Sequence, residues 1–347
     1  MREQTLRNPR TLCPVIIVFS VIALGCVIIA ATLVGAVGIG PGDVIREFLG
    51  GQALSERHHA IMLNVRLPRV MLAVIVGAVL ATAGATYQAV FHNPLADPYL
   101  LGVSAGAGLG VTLAVIFGAT MGLGLGGAGI VGAAFVGGVA AVAVTCVCAG
   151  MAGGQSRSDA TTVVLAGVAV AACASAAQTF VQQRNIDTIQ RIYAWMLGSL
   201  NTAGWSTVGL VILPVTLCVV LLCLSARLLD VITLGDEEAA ALGVHPQRAR
   251  LMLVGVATLG TSVVVSVSGL IGFVGIIVPH AVRLVAGPAH RYLMPLTVIW
   301  GGIFLLIADT VGRTALAPAE LPVGVVTAFV GSPFFLFVLH RHRRGRS

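Results

Sequence analysis

The chain has 347 residues, 57% of them hydrophobic and only 10% charged, with 20 basic against 13 acidic side chains and a net charge of +7. Soluble domains carry roughly 25% charged residues, so the composition excludes a soluble enzyme or a nucleic-acid-binding domain. Every basic residue other than histidine is arginine, which removes the lysine that a Walker A loop or a Schiff base requires.

A membrane-spanning helix needs about 20 mainly apolar residues. Runs free of Asp, Glu and Arg cover 11–42, 70–96, 98–156, 160–183, 192–226, 251–282 and 321–340. The run 98–156 has room for two spans, with the glycine-rich 118–127 as their turn. The expectation is an all-α polytopic membrane protein, one transmembrane domain over 1–347 with about ten helices: 12–37, 64–88, 96–117, 126–150, 160–182, 204–227, 247–268, 272–287, 292–312 and 322–340.

The first span follows Arg2, Arg7 and Arg10. Its apolar run is much longer than the ~7–15 residues of a signal-peptide core, so it reads as a retained span. Ten spans put both termini on one side. Thirteen arginines fall on that side and seven on the other, so both termini are expected in the cytoplasm. The external seven are Arg46, Arg57, Arg66, Arg69, Arg184, Arg191 and Arg313. They are either solvated flanks or a basic collar that receives an acidic partner.

NPLADPYLLGVSAGAGLG (93–110) follows the second span and carries three competing signals. Gly102-Val103-Ser104-Ala105-Gly106 spells G-x-S-x-G, but a nucleophile elbow needs a strand, a sharp turn and a helix, and this run is apolar and helical. Gly122, Gly124 and Gly127 match G-x-G-x-x-G, yet the next acid is Asp159 and the setting is a turn between spans. The third signal is packing. Gly102, Gly106 and Gly110 form a small-residue stripe that lets two membrane helices approach closely. Asn93-Pro94 and Asp97-Pro98 then define a tight cytoplasmic turn.

Gln178 and Gln182 share one face of the fifth span, a polar stripe that could border a watery path. Seven cysteines lie in apolar runs without disulfide or zinc spacing. Between the sixth and seventh spans, ITLGDEEAAALGVHPQRAR (232–250) reads as a short cytosolic helix over about 236–242. Asp236 is its expected N-cap, Glu237 and Glu238 complement its positive end, and Gly243 caps its C-terminus before Pro246. Asp309 lies inside the ninth span, as a functional candidate or as an i,i+4 partner of Arg313.

Three stretches together carry a resemblance: RLPR…NPLADPYLLGVSAGAG (66–108), GLIGFVGIIVPHAVRL (269–284) and HRYLMPL…LLIADTVGRTALAPAELPVGVVTAFVGSPFF (290–335). With LGDEEAAALGV (234–244) between them, the chain resembles a FecCD-type permease subunit of type II ABC importers, which take up ferric siderophores, haem and cobalamin. The resemblance implies a homodimer in the bacterial cytoplasmic membrane with a path between the subunits. It also implies two ABC ATPase subunits below, which bind ATP and Mg, and an extracytoplasmic substrate-binding protein above, while this chain binds no cofactor of its own. By position, Leu234, Gly235, Asp236, Glu237, Glu238 and Gly243 resemble the family's coupling helix. Arg66, Arg69 and Arg313 resemble its binding-protein contacts. Asn93 and Leu95 resemble part of the cytoplasmic gate, as do Asp159 and Thr161, where the expected serine/threonine-rich form is absent. Gln178 and Gln182 would line the path. An ion-coupled secondary transporter is a remote alternative, because it needs several embedded acids and the spans offer little beyond Asp309.

Overall fold

The computed structural model describes residues 9–35, 40, 42, 56–120, 126–152, 160–201 and 204–344. Arg2, Arg7, Arg46, Gly122, Gly124 and Asp159, named above, lie outside them. Among the described residues all regular structure is helical: α1 (Pro9–Leu33), α2 (Glu56–Val90, with a π-turn at Met62–Arg66), α3 (Val103–Thr120), α4 (Gly127–Ala152), α5 (Ala160–Gln183), α6 (Ile189–Met196), α7 (Trp205–Leu224), α8 (Ala226–Ile232), α9 (Asp236–Ala241), α10 (Pro246–Ser268), α11 (Val274–Ala286), α12 (His290–Thr314) and α13 (Val323–Arg344).

Seven of these helices are long and apolar enough to cross a membrane. Three shorter apolar helices, Val103–Gly118, Val274–Ala286 and Val323–Leu336, fall at the positions of the other three expected spans. The third span starts later than expected, at Val103. Asp97 accepts from Tyr99 N–H at 2.9 Å and Pro98–Leu101 form a 3₁₀ turn. Gly102, at φ +86°, then resets the direction of the chain. Only a residue without a Cβ takes that conformation at no cost.

The bundle is built around α2. In its most apolar window 89% of the residues are buried, against 17% for α5 and 11% for α1. It packs on α12, α10, α11 and α7. Lipid supplies no hydrophobic drive between spans, so association depends on close van der Waals contact. A Cβ on Gly77 would overlap the Gly301 carbonyl, and one on Gly84 the Gly275 carbonyl. The stripe on α3 works in the same way against α4, where Gly106 meets Gly137 and Gly110 meets Ala133. Gly102 does not belong to this contact, because its glycine requirement is the left-handed turn.

The break between α10 and α11 (269–273) lies within the bundle. Exposed backbone cannot be left unpaired there. Tyr99, within the 3₁₀ turn, resolves this for Ile271: its hydroxyl donates to Ile271 O and accepts from Ile271 N–H, both at 3.1 Å. Ser199 N–H donates to Ser268 O at 2.8 Å.

Candidate functional site

The cytosolic helix forms as α9, with one change to its start. Its N-cap is Gly235, at φ +125°, and Asp236 is the first helical residue. The Asp236 carboxylate is engaged elsewhere, accepting from Arg250 Nη2 at 2.6 Å and Nη1 at 3.1 Å. A bidentate guanidinium–carboxylate pair of this kind outcompetes a cap to the helix's own amides. The C-terminus follows the expected pattern: Gly243 is at φ +80°, its N–H donates to Ala240 O, and Val244 N–H donates to Ala239 O. Ala239 is fully buried, whereas Glu237 and Glu238 are exposed, as are Leu234 (61%) and Leu242 (62%). The outer face is therefore an acidic and leucine-tipped knob. Leu242 went unnoticed in the sequence because a lone leucine after an alanine run looks like ordinary helix.

The segment preceding α9 is tied to two further spans. Asp230 accepts from the His290 backbone N–H at 2.9 Å and contacts His290 Nδ1 at 2.7 Å, capping α12 from a neighbouring helix. The Ile232 carbonyl lies 3.0 Å from His92 Nε2, at the end of α2.

His92 opens the 93–98 turn. Asn93 Oδ1 accepts from Leu95 N–H at 2.9 Å, an Asx-turn that sets the shape of the loop. Asn93 is exposed and Leu95 half-buried. Thr161 is exposed at the start of α5 on the same side of the bundle. Burial pushes the Asp97 carboxyl up to about 6, against the opposing pull of the Tyr99 N–H. Because the folded value lies above the ordinary ~3.9 of an unfolded Asp, folding favours the protonated form. The contribution is fully present below about pH 4 and is lost as pH rises through about 6. The melting temperature in detergent is expected to fall as pH rises from about 4 to about 6.5 and to level off above that. Asp97→Asn, which keeps an acceptor for Tyr99, should flatten that slope, and an unchanged slope would show that Asp97 does not titrate in this window.

On the outer side, the three arginines assigned to a collar converge on one cluster, but they do not form an exposed ring. Arg66 is buried and donates to Thr32 O at 3.1 Å and Leu33 O at 2.9 Å. Arg313 is buried, donates to Ala31 O, and lies 3.7 Å from Asp309 Oδ2. The last carbonyls of α1 have no intrahelical donors, and a cation at a helix C-terminus meets its negative end, so both guanidinium groups turn inward. Asp309, 1% exposed, is the hub of this cluster, and its tighter partner is Arg69 at 2.9 Å. Arg69 also reaches Glu320 at 3.0 Å, in the loop between α12 and α13. Arg69 and Glu320 thus form the solvent-facing edge of the cluster.

Gln178 and Gln182 are also placed differently from expectation. Both are buried within the chain, against α6 and α3: Gln178 Nε2 lies 3.1 Å from Met196 Sδ, and Gln182 Nε2 lies 3.4 Å from Thr112 Oγ1. A buried amide needs partners, and these lie on the inner side of α5. The face of α5 left uncovered carries Leu165, Val168, Ala172, Ser175, Ala176 and Thr179. Ser104 sits within α3, with no strand or turn at the residue itself.

The FecCD transport family matches residues 21–341. The chain belongs to the FecCD transport family. Among family relatives it is 37% identical to the hemin transport system permease protein HmuU of Yersinia pestis, over 92% of this chain and 95% of that one. It is 39% identical to the cobalamin import system permease protein BtuC of Halobacterium salinarum, over 82% and 74% respectively. A solved structure described as an inward-facing conformation of a metal-chelate type ABC transporter superposes with a TM-score of 0.83 at 27% identity, covering 94% of this chain and 99% of that one. As a FecCD protein the chain is a multi-pass transporter permease of the cytoplasmic membrane.

Proposed function

We propose that this chain is the permease subunit of an ATP-binding cassette importer that carries a large iron chelate, a ferric siderophore or haem, into the cytoplasm. The observation that carries the reading is α9. It is a two-turn acidic helix on the cytosolic face, with apolar tips pointing outward and an ion pair and hydrogen bonds tying its flanks to α2, α10 and α12. Such an element suits docking to a separate ATPase that binds ATP and Mg, since no lysine exists here for a Walker A loop.

The uncovered face of α5 and the exposed Phe329, Val330 and Leu336 of α13 fit a second copy of the chain, with the substrate path between the copies and Asn93, Leu95 and Thr161 at its cytoplasmic end. Asp159 would belong to the same gate. Outside, Arg69 is the member of the basic cluster that would meet an acidic binding protein, held by Asp309 and Glu320, while Arg66 and Arg313 brace the end of α1. Relatives named for hemin and for cobalamin make a corrinoid the alternative cargo. Native mass spectrometry of the complex co-expressed with its ATPase and binding protein is expected to read two permeases and two ATPases. The binding protein is expected to retain an iron chelate. A corrinoid there selects the alternative, and a single permease copy contradicts the dimer.

A further inference from the structure

His92 stands where the backbone calls for glycine. The end of α2 is a complete Schellman motif, in which His92 N–H donates to Ala89 O at 3.3 Å and Asn93 N–H donates to Gln88 O at 3.1 Å. That motif requires a left-handed residue at the position after the cap, and His92 adopts it at φ +49°. Glycine takes this conformation freely, and a side chain there is strained. Among the described residues only His92 and Phe273 carry a side chain at positive φ. Phe273 has a packing reason, since its ring lies against Gly331. His92 is exposed and fills no core. Its ring does one visible thing, contacting the Ile232 carbonyl at 3.0 Å. A carbonyl only accepts, so Nε2 carries the proton and donates. Ile232 O also accepts from Gly235 N–H at 3.3 Å, the residue that starts α9.

Strain kept at one residue and tied to one contact points to a role for that contact. Three struts leave the 230–236 segment. Asp236 goes to Arg250 on α10, Asp230 goes to His290 on α12, and Ile232 goes to His92. The first two reach the starts of transmembrane helices. The third reaches the residue next to Asn93, where α2 ends and the 93–98 turn begins.

We infer that His92 is a positioning residue that links displacement of α9 directly to the 93–98 turn, so that ATPase motion and opening of the cytoplasmic gate stay in step. This rests on the permease reading above. The test uses the full complex of permease, ATPase and binding protein in proteoliposomes, measuring chelate taken up per ATP hydrolysed together with the melting temperature. His92→Gly removes the ring and relieves the strain, so its melting temperature should equal or exceed the wild type's. Its uptake per ATP should nevertheless fall roughly fivefold or more, a typical size for coupling between sites. His92→Gln, which places an N–H donor at similar reach, should recover most of the ratio.

A wild-type ratio in His92→Gly, or a His92→Gln no better than His92→Gly, overturns the strut while leaving the permease reading intact. Hydrolysis and uptake falling in proportion, with a lowered melting temperature, would show that the bond only holds the fold together. Absence of ATP-driven uptake in the wild type itself would overturn both.

Discussion

Asp309→Ala should lower the stability of the chain by about 3–5 kcal/mol, the usual cost of removing one partner of a buried ion pair. The carboxylate is 1% exposed and faces Arg69 at 2.9 Å and Arg313 at 3.7 Å. Without it, two largely buried guanidinium groups face each other beside Arg66, whose donors are used on the end of α1. Glu320 holds only the outer nitrogen of Arg69 and cannot replace the hub. The effect should be smallest in Asp309→Glu. In the double variant Asp309→Ala with Arg69→Met it should be partly recovered, because a matched apolar pair avoids the stranded charge. Thermal and denaturant unfolding in detergent measure this. A single variant within about 0.5 kcal/mol of wild type, the range of an ordinary surface change, would mean that the cluster is solvated and structurally dispensable.

The second large effect concerns the tips of α9. Leu234→Asp together with Leu242→Asp should weaken binding of the ATPase subunit by roughly tenfold or more, as expected for apolar anchors at an interface centre. Both leucines are more than half exposed, and Ala239 beneath them is buried. The permease should therefore keep its melting temperature while losing its partner. Titration of the ATPase into detergent-solubilised permease reads this directly. Undiminished affinity would remove α9 as the docking element, whereas Glu237→Lys with Glu238→Lys would test its acidic side.

Much of this architecture was legible in the residues. Seven of the expected spans form helices long and apolar enough to cross a membrane, because hydrocarbon thickness sets a length that composition reveals, and the other three form shorter apolar helices. The α3 stripe announced a close helix contact, which forms at Gly106 and Gly110 and not at Gly102. Gly243 announced the end of α9. The direction of polar side chains was not legible. Gln178 and Gln182 share a helix face, but periodicity cannot say whether that face meets a neighbouring helix or a path. Arg66 and Arg313 looked like external charges, and only the fold shows the end of α1 beside them, with carbonyls that need donors. Tyr99, which pins the break at Ile271, and His92, which reaches Ile232, act across 172 and 140 residues of sequence. No local pattern predicts such contacts. The left-handed backbone at His92 was invisible for the same reason: the sequence shows a histidine where the conformation suits glycine.

The most direct test of the central claim is chelate uptake into proteoliposomes that hold this permease with its ATPase, with the loaded binding protein on the outer face. The account predicts uptake that requires ATP and persists when proton and sodium gradients are collapsed. Uptake that proceeds without ATP and disappears with an uncoupler would contradict it.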